Sequence, residues 1–280
     1  METMNRAVFI QANSKQLLGA KLAKYAIERF YGATSPLPVS IIEVEKVPAF
    51  REFLGSPYRP GYAPYTFDDL QSFTLTRFMP PELMNYEGRA LVIDPDIFAL
   101  SAIDELFTLN TEGKSVAACR KKDAWDSSVM LLECSHLTHW NIQRILKSLR
   151  NNPKTYSEWV EIRNEPVFEI PRIWNSLDTI TPETKMLHTT NRITQPWKTG
   201  LPIDFTLNPM PKLFGVIPRE PIHKLLGKYP THYRQHPDST VEKAFFDLAR
   251  QALEAGAITK EEIAAGIASH DLRPDFFEKI

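Results

Sequence analysis

The stretch 89-RALVIDPDIFALSAIDELF-107 carries a core strand that ends on acids, and it sets the frame for the rest of the chain. Ala90 to Ile93 are apolar on both faces, as in a central parallel strand, and the run stops on two acids one residue apart, Asp94 and Asp96. In open α/β sheets, ligands sit outside the carboxyl ends of the strands, so these acids stand where a ligand is expected. With Pro95 fixing the φ between them, they offer hard oxygen ligands to Mg2+ or Mn2+, whose remaining positions a diphosphate can fill. A solvated turn would use the same triplet. A calcium loop is excluded, because its Gly and its downstream Glu are missing.

On either side of this strand, segments of period 2 alternate with segments of helical spacing. "AVFIQ" (7–11) reads as a strand and is followed by a helix in which Leu18, Leu22, Tyr25 and Ala26 share a face. "VSIIEVE" (39–45), "SVAAC" (115–119) and "SVMLLEC" (128–134) read as strands, while "FDDLQSFTLTRF" (67–78) and "LTHWNIQRILKSL" (137–149) read as helices. The alternation predicts an open α/β sheet. Residues 151–169 give mixed signals. Near the end, "TVEKAFFDLARQALEAGA" (240–257) has helical apolar spacing, and Thr259 with Glu262 forms a capping box for a final helix whose stripe is Ile263, Ala264 and Ile267. The apolar stripes of these two helices call for packing on the main domain or on a second copy, which leaves a homo-oligomer open.

Composition narrows the function classes. The 33 basic and 34 acidic residues of the 280-residue chain nearly cancel, so no global field recruits nucleic acid, and an anionic ligand must be held by a local site. Two cysteines, Cys119 and Cys134, are too few for a disulfide framework and lack zinc-site spacing. A reducing, cytoplasmic setting is expected. No apolar run is long enough to cross a bilayer. There is no Gly-rich phosphate loop, no Gly-x-Ser-x-Gly elbow and no His-Glu-x-x-His. His136 and His139 sit at helical spacing without a partner set and read as a helix-entry pair. The basic and aromatic segment from His223 to His236 has the chemistry to meet an anionic acceptor or membrane surface, with a solvated loop as the default reading.

The segment "VIDPDIFALSAIDELF" closely resembles that of family 8 glycosyltransferases, in which a strand ends in Asp-x-Asp and a short helix begins Ile-Asp-x-Leu-Phe. Downstream, "LHTTNRITQPWKTG" is similar to the family's His-x-x-Gly…Lys-Pro-Trp signature, with Asn191 in place of the Gly, Gln195 in place of the Lys, and one extra residue. The resemblance implies the α/β GT-A (Rossmann-like) nucleotide-diphospho-sugar transferase fold. The transferase domain would occupy residues 1–217, and a C-terminal loop and helical extension residues 218–280. It also implies transfer of a hexose from a nucleotide-sugar donor, most often a UDP-sugar, with retention, to an acceptor that the resemblance does not name. Asp94, Asp96 and His188 would hold Mn2+, with Mg2+ left open, and Asp94 would also touch the donor ribose. A neutral imidazole beside two carboxylates suits Mn2+ better than Mg2+.

Weaker correspondences extend over roughly the first two hundred residues. "ANSKQLLGA" resembles the family's Thr-Asn-x-x-Tyr-x-x-Gly-Ala turn, which places Gln11, Ala12, Asn13 and Gln16 at the donor nucleotide, with Asn13 against the base and Gln16 where the stacking Tyr would be. Arg77 falls near a basic residue that contacts diphosphate and sugar, and Gln195 replaces the Lys that meets the phosphates. "AWDSSVMLLEC" resembles the Phe-Asn-Ser-Gly-Val strand, so Asp126 takes the place of an Asn facing the donor sugar, with Ser127 beside it. "IPRIWN" (170–175) resembles the Leu-Pro-x-x-x-Asn element, and Glu158 is the nearest candidate for an absent Asp-Gln pair. The competing readings are a nucleotidyltransferase, which normally has the Gly-rich loop missing here, and a non-catalytic nucleotide-sugar-binding relative.

Overall fold

The structure, a computed structural model, describes residues 5–32, 36–205 and 230–280. The expected strands β1 (Arg6–Ala12), β2 (Val39–Glu43) and β3 (Arg89–Ile93) pair in parallel, with Ile10 opposite Ile93 at the carboxyl ends of β1 and β3. Beyond β3 the sheet departs from a purely parallel pattern. After the short β4 (Ile97–Ala99), β5 (Val116–Lys121) and β6 (Ala124–Glu133) are joined by two residues, with Lys122 at φ 49°, and so tight a hairpin forces antiparallel pairing. β6 then runs antiparallel to β3, and β7 (Val167–Glu169) closes the order β2-β1-β3-β6-β5-β7.

Both faces of this sheet are covered. On one lie the first helix (Leu17–Glu28) and the helix Ser239–Glu254; on the other, Phe50, Phe53, Tyr65 and Trp140 form a second core layer. Burial on both faces explains why β3 reads as an unbroken apolar run. Two helix expectations are revised. Residues 67–78 contain a 3-10 helix only from Ser72 to Phe78, because Asp69 turns back to accept from Gln71 N and from the Tyr58 hydroxyl. The helix expected at 137–149 is Ile142–Asn151, with Asn141 capping it by accepting from Arg144 N at 3.1 Å.

A second, small sheet places the site. β4 pairs antiparallel with β9 (Met186–His188), which pairs in parallel with β8 (Ser176–Leu177). In this register His188 lies opposite Ile97, one residue past Asp96. The expected capping box of the helix Lys260–Ala268 is present, and both tail helices pack on this same chain. Phe245 meets Trp197 at 4.9 Å and Phe98 at 5.6 Å between ring centroids. Within the helix Lys260–Ala268, Ile263 is buried, whereas Ala264 faces out. The proposed boundary at 217/218, and the His223 end of the basic and aromatic segment, lie outside the described residues. Cys119 and Cys134 are buried and unpaired. Among the described residues, no helix is long and apolar enough to cross a membrane.

Candidate metal and donor site

Three elements converge at the carboxyl ends of β1 and β3. The turn after β3 presents Asp94 and Asp96, β9 brings His188, and one ligand atom from each of the three lies within 4.8 Å of the others. The first helix is set tightly against this turn. A Cβ on Gly19 would sit 2.9 Å from the Pro95 carbonyl oxygen, so only glycine permits the approach. His188 and Asp94 are buried and Asp96 half-buried, and His188 Nε2 is 3.5 Å from Asp96 Oδ1.

Asp94 is oriented from behind. Arg77 donates through Nε to Asp94 Oδ1 at 3.0 Å and through Nη2 to Asp94 Oδ2, while its Nη1 donates to Ser127 Oγ at 2.8 Å. Gln11, fully buried, completes this cradle: in the amide orientation its neighbours require, it donates to Ile93 O and to Asp94 Oδ1. Burial raises the Asp94 pKa, and the lowering by Arg77 does not cancel that rise. For His188, burial works against the charged ring, but Asp96, Asp94 and Asp126 outweigh it and the net shift is upward. Two carboxylates and an imidazole, gathered around a partly open centre, fit a divalent cation that keeps positions free for oxygen ligands.

A cavity of about 570 Å3 opens on this cluster. Its walls carry Gln16, Arg77, Asp94, Asp96, Asp126, His188 and Gln195, with Ser127 beside them, so most of the sequence-derived candidates meet there. A β-bulge explains the placement of Asp126. Between Ala118 and Cys119 the register on β6 jumps from Met130 to Asp126, which leaves Ser127, Ser128 and Val129 without partners on β5. A second cavity of about 350 Å3, lined largely by apolar groups of the first helix and the tail, shares Gln16, Asp96 and Gln195 with the first. Gln195 Nε2 reaches Asp96 Oδ2 at a long 3.5 Å, and Gln16 Nε2 donates to Leu70 O at 3.1 Å.

Gln11, expected at the donor nucleotide, lines neither cavity and instead backs Asp94, and three further candidates are placed elsewhere. Asn13, expected against a base, is fully buried: its Nδ2 donates to Asp69 O and Ser72 Oγ, and its Oδ1 accepts from Gln16 N. It ties the first βα turn to the 69–72 segment and lines neither cavity. Ala12 is likewise buried and lines neither. Glu158 is exposed and off the cavity wall, whereas Tyr156 from the same short helix and Glu161 just beyond it reach that wall. The helical turn points Glu158 away from the cleft, a direction that sequence spacing alone left open.

Further residues reach the site. Arg59, from a loop, and Arg192, at the start of a short 3-10 helix, add cations to the cavity wall. Asn175, at the end of "IPRIWN", accepts from His188 Nδ1 at 2.8 Å. It is the Asn of the Leu-Pro-x-x-x-Asn element that the sequence resembles.

No protein-family profile matches the chain, and no curated protein matches it in sequence. Solved structures do match its fold. An active-site mutant of LgtC superposes with a TM-score of 0.50 at 11% identity, covering 80% of this chain and 96% of that one. The glycosyltransferase GlyE of Streptococcus pneumoniae TIGR4 gives 0.49 at 14% identity, covering 70% of this chain and 56% of that one. The bifunctional glycosyltransferase WbbM gives 0.48 at 11%, covering 70% and 47%. The chain thus spans about half the length of GlyE and of WbbM, and nearly the whole of LgtC. Its fold is that of the GT-A glycosyltransferases.

Proposed function

We propose that the chain is a metal-dependent glycosyltransferase that moves a hexose from a nucleotide-sugar, a UDP-sugar by preference, to an acceptor hydroxyl with retention. The observation that carries this reading is the Asp94, Asp96 and His188 cluster opening on a polar cavity at the carboxyl ends of parallel strands. When bound by these three residues, Mn2+ would act as a Lewis acid toward the leaving nucleoside diphosphate.

The chain's own groups supply the rest. Arg77 holds Asp94 in place and adds a guanidinium to the wall on which a diphosphate would rest. Gln195 meets the phosphates as a neutral amide donor. Asp126, on the cavity wall, accepts from the hydroxyls of the transferred sugar. With retention, the acceptor hydroxyl enters on the face from which the diphosphate departs, and a departing phosphate oxygen takes its proton. No protein base is then required, in keeping with the exposed position of Glu158.

The test is release of nucleoside diphosphate from UDP-, GDP- and ADP-sugars with and without Mn2+. Metal-dependent release from a UDP-sugar is expected. Absence of binding and turnover with every donor would sink the reading.

A further inference from the structure

Behind His188 runs a chain of hydrogen bonds whose polarity is fixed from one end. Asp126 Oδ2 accepts from Arg172 Nη1 at 3.1 Å, and Asp126 Oδ1 accepts from the Ser128 hydroxyl at 2.6 Å and from Ser128 N at 3.2 Å. An ionised carboxylate has no proton to give, so the single hydroxyl proton of Ser128 points at Asp126. Ser128 Oγ can then only accept from its other neighbour, Asn175, at 2.9 Å. That fixes the amide: Nδ2 faces Ser128, and Oδ1 faces His188 Nδ1 at 2.8 Å. An amide oxygen only accepts, so Nδ1 must carry the proton. When the ring is neutral, the lone pair is therefore on Nε2, the nitrogen that faces Asp96.

We infer that Asp126, Ser128 and Asn175 act as positioning residues, setting the tautomer and ring angle of His188 so that Nε2 alone is offered to a divalent cation. The inference rests on the proposed metal-binding role of His188 and assigns Asp126 a second duty beyond its place on the cavity wall. Several observations agree. Asn175 is fully buried and Ser128 nearly so, which makes an unpaired donor or acceptor costly and the alternative amide orientation unfavourable. The bulge in β6 is what lets Asp126 and Ser128 approach each other. Hydrogen-bond partners on the far nitrogen of a ligating histidine normally fix its tautomer in this way.

The test combines a spectroscopic and a binding readout on the full chain. Nitrogen-15 correlation spectra of histidine-labelled, metal-free protein, taken at alkaline pH where the ring is neutral, report which nitrogen of His188 bears the proton. The Nδ1–H tautomer is expected. Ser128→Ala, a small change that removes only the hydroxyl, frees the Asn175 amide to turn, so a second tautomer should appear. Mn2+ affinity by calorimetry should fall by roughly 10–100-fold in Asn175→Leu and by a smaller factor in Ser128→Ala. An Nε2–H tautomer in the wild type, or an unchanged tautomer and unchanged Mn2+ affinity in Ser128→Ala, would overturn the inference. A wild-type protein that binds no Mn2+ yet shows the Nδ1–H tautomer would instead count against the proposed metal site and leave the hydrogen-bond chain standing.

Discussion

His188 and Glu158 were both candidates by sequence, and their surroundings separate them. His188 is buried, tethered through Nδ1 and aimed at Asp96 through Nε2; Glu158 is exposed and off the cavity. Replacing His188 by Ala removes one of the three proposed ligating groups. If metal assistance contributes several kcal/mol, Mn2+-dependent release of diphosphate should fall at least about 100-fold. Glu158→Ala, a surface change costing within about 0.5 kcal/mol, should leave turnover within about twofold. Steady-state rates of the two variants, with folding checked by circular dichroism, decide the matter, and similar losses in both would contradict the site. Gln16 poses a different question, because it lines both cavities at the position where the resemblance expects an aromatic platform. Base stacking is worth roughly 1–3 kcal/mol in nucleic-acid sites. Gln16→Tyr should therefore tighten UDP by about tenfold without altering the requirement for metal, and a calorimetric titration showing no gain would place the base elsewhere.

Among the elements, the site depends on how closely the first helix is seated against the Asp-Pro-Asp turn. Gly19→Val would force either the helix or Pro95 to move, since the obstructing atom is a backbone oxygen. Overpacking of this kind costs about 1–3 kcal/mol. We expect a lower urea midpoint together with weaker Mn2+ binding, because the displaced turn carries two of the proposed ligands. A destabilised variant with intact Mn2+ affinity would show the turn to be independent of the helix. The same seam shows what was legible in the sequence. The β3 run ending in Asp94 and Asp96 could be read because burial on both faces writes an unbroken apolar run, and the capping box at Thr259 could be read because it is local. The partner order of β6 and its bulge could not, since a register shift is decided by contacts between distant strands. Asn13 misled for a related reason: a residue at the end of β1 either faces the ligand or ties the turn to a neighbouring loop, and only the position of the 69–72 segment settles which.

Across the whole molecule, the tail closes one face of the core and is secured by charge at its end. Arg273 donates to Asp275 through Nε and Nη2 at 2.5 and 2.7 Å, and it also reaches Glu242 on the helix Ser239–Glu254. The hydrogen bonds from Arg273 hold the Asp275 pKa below the usual carboxylate range. A depressed carboxyl pKa contributes stability that is complete above the unfolded value of about 3.9 and is lost as pH falls through the folded value. The Tm gap between wild type and Asp275→Asn should therefore be present at neutral pH and close in acid. The corresponding stability difference should stay small, under about 1 kcal/mol, because Asp275 is partly solvated. A gap that widens in acid would reverse the assignment. Packing has the larger effect. The helix Ser239–Glu254 buries Val241, Phe245, Phe246, Leu248, Ala249 and Ala252, with Phe245 against Phe98 and Trp197. Phe98 lies on β4, which pairs with the strand carrying His188, so the tail supports the sheet that brings the third proposed ligand to the site. Deleting the chain from Thr240 onward would uncover a contiguous apolar patch of the kind that drives association, and it would loosen that small sheet. Size-exclusion chromatography should show aggregation, and any soluble fraction should bind Mn2+ weakly; a truncated protein that elutes as a single sharp species with wild-type Mn2+ affinity would show that the tail neither completes the core nor supports the site.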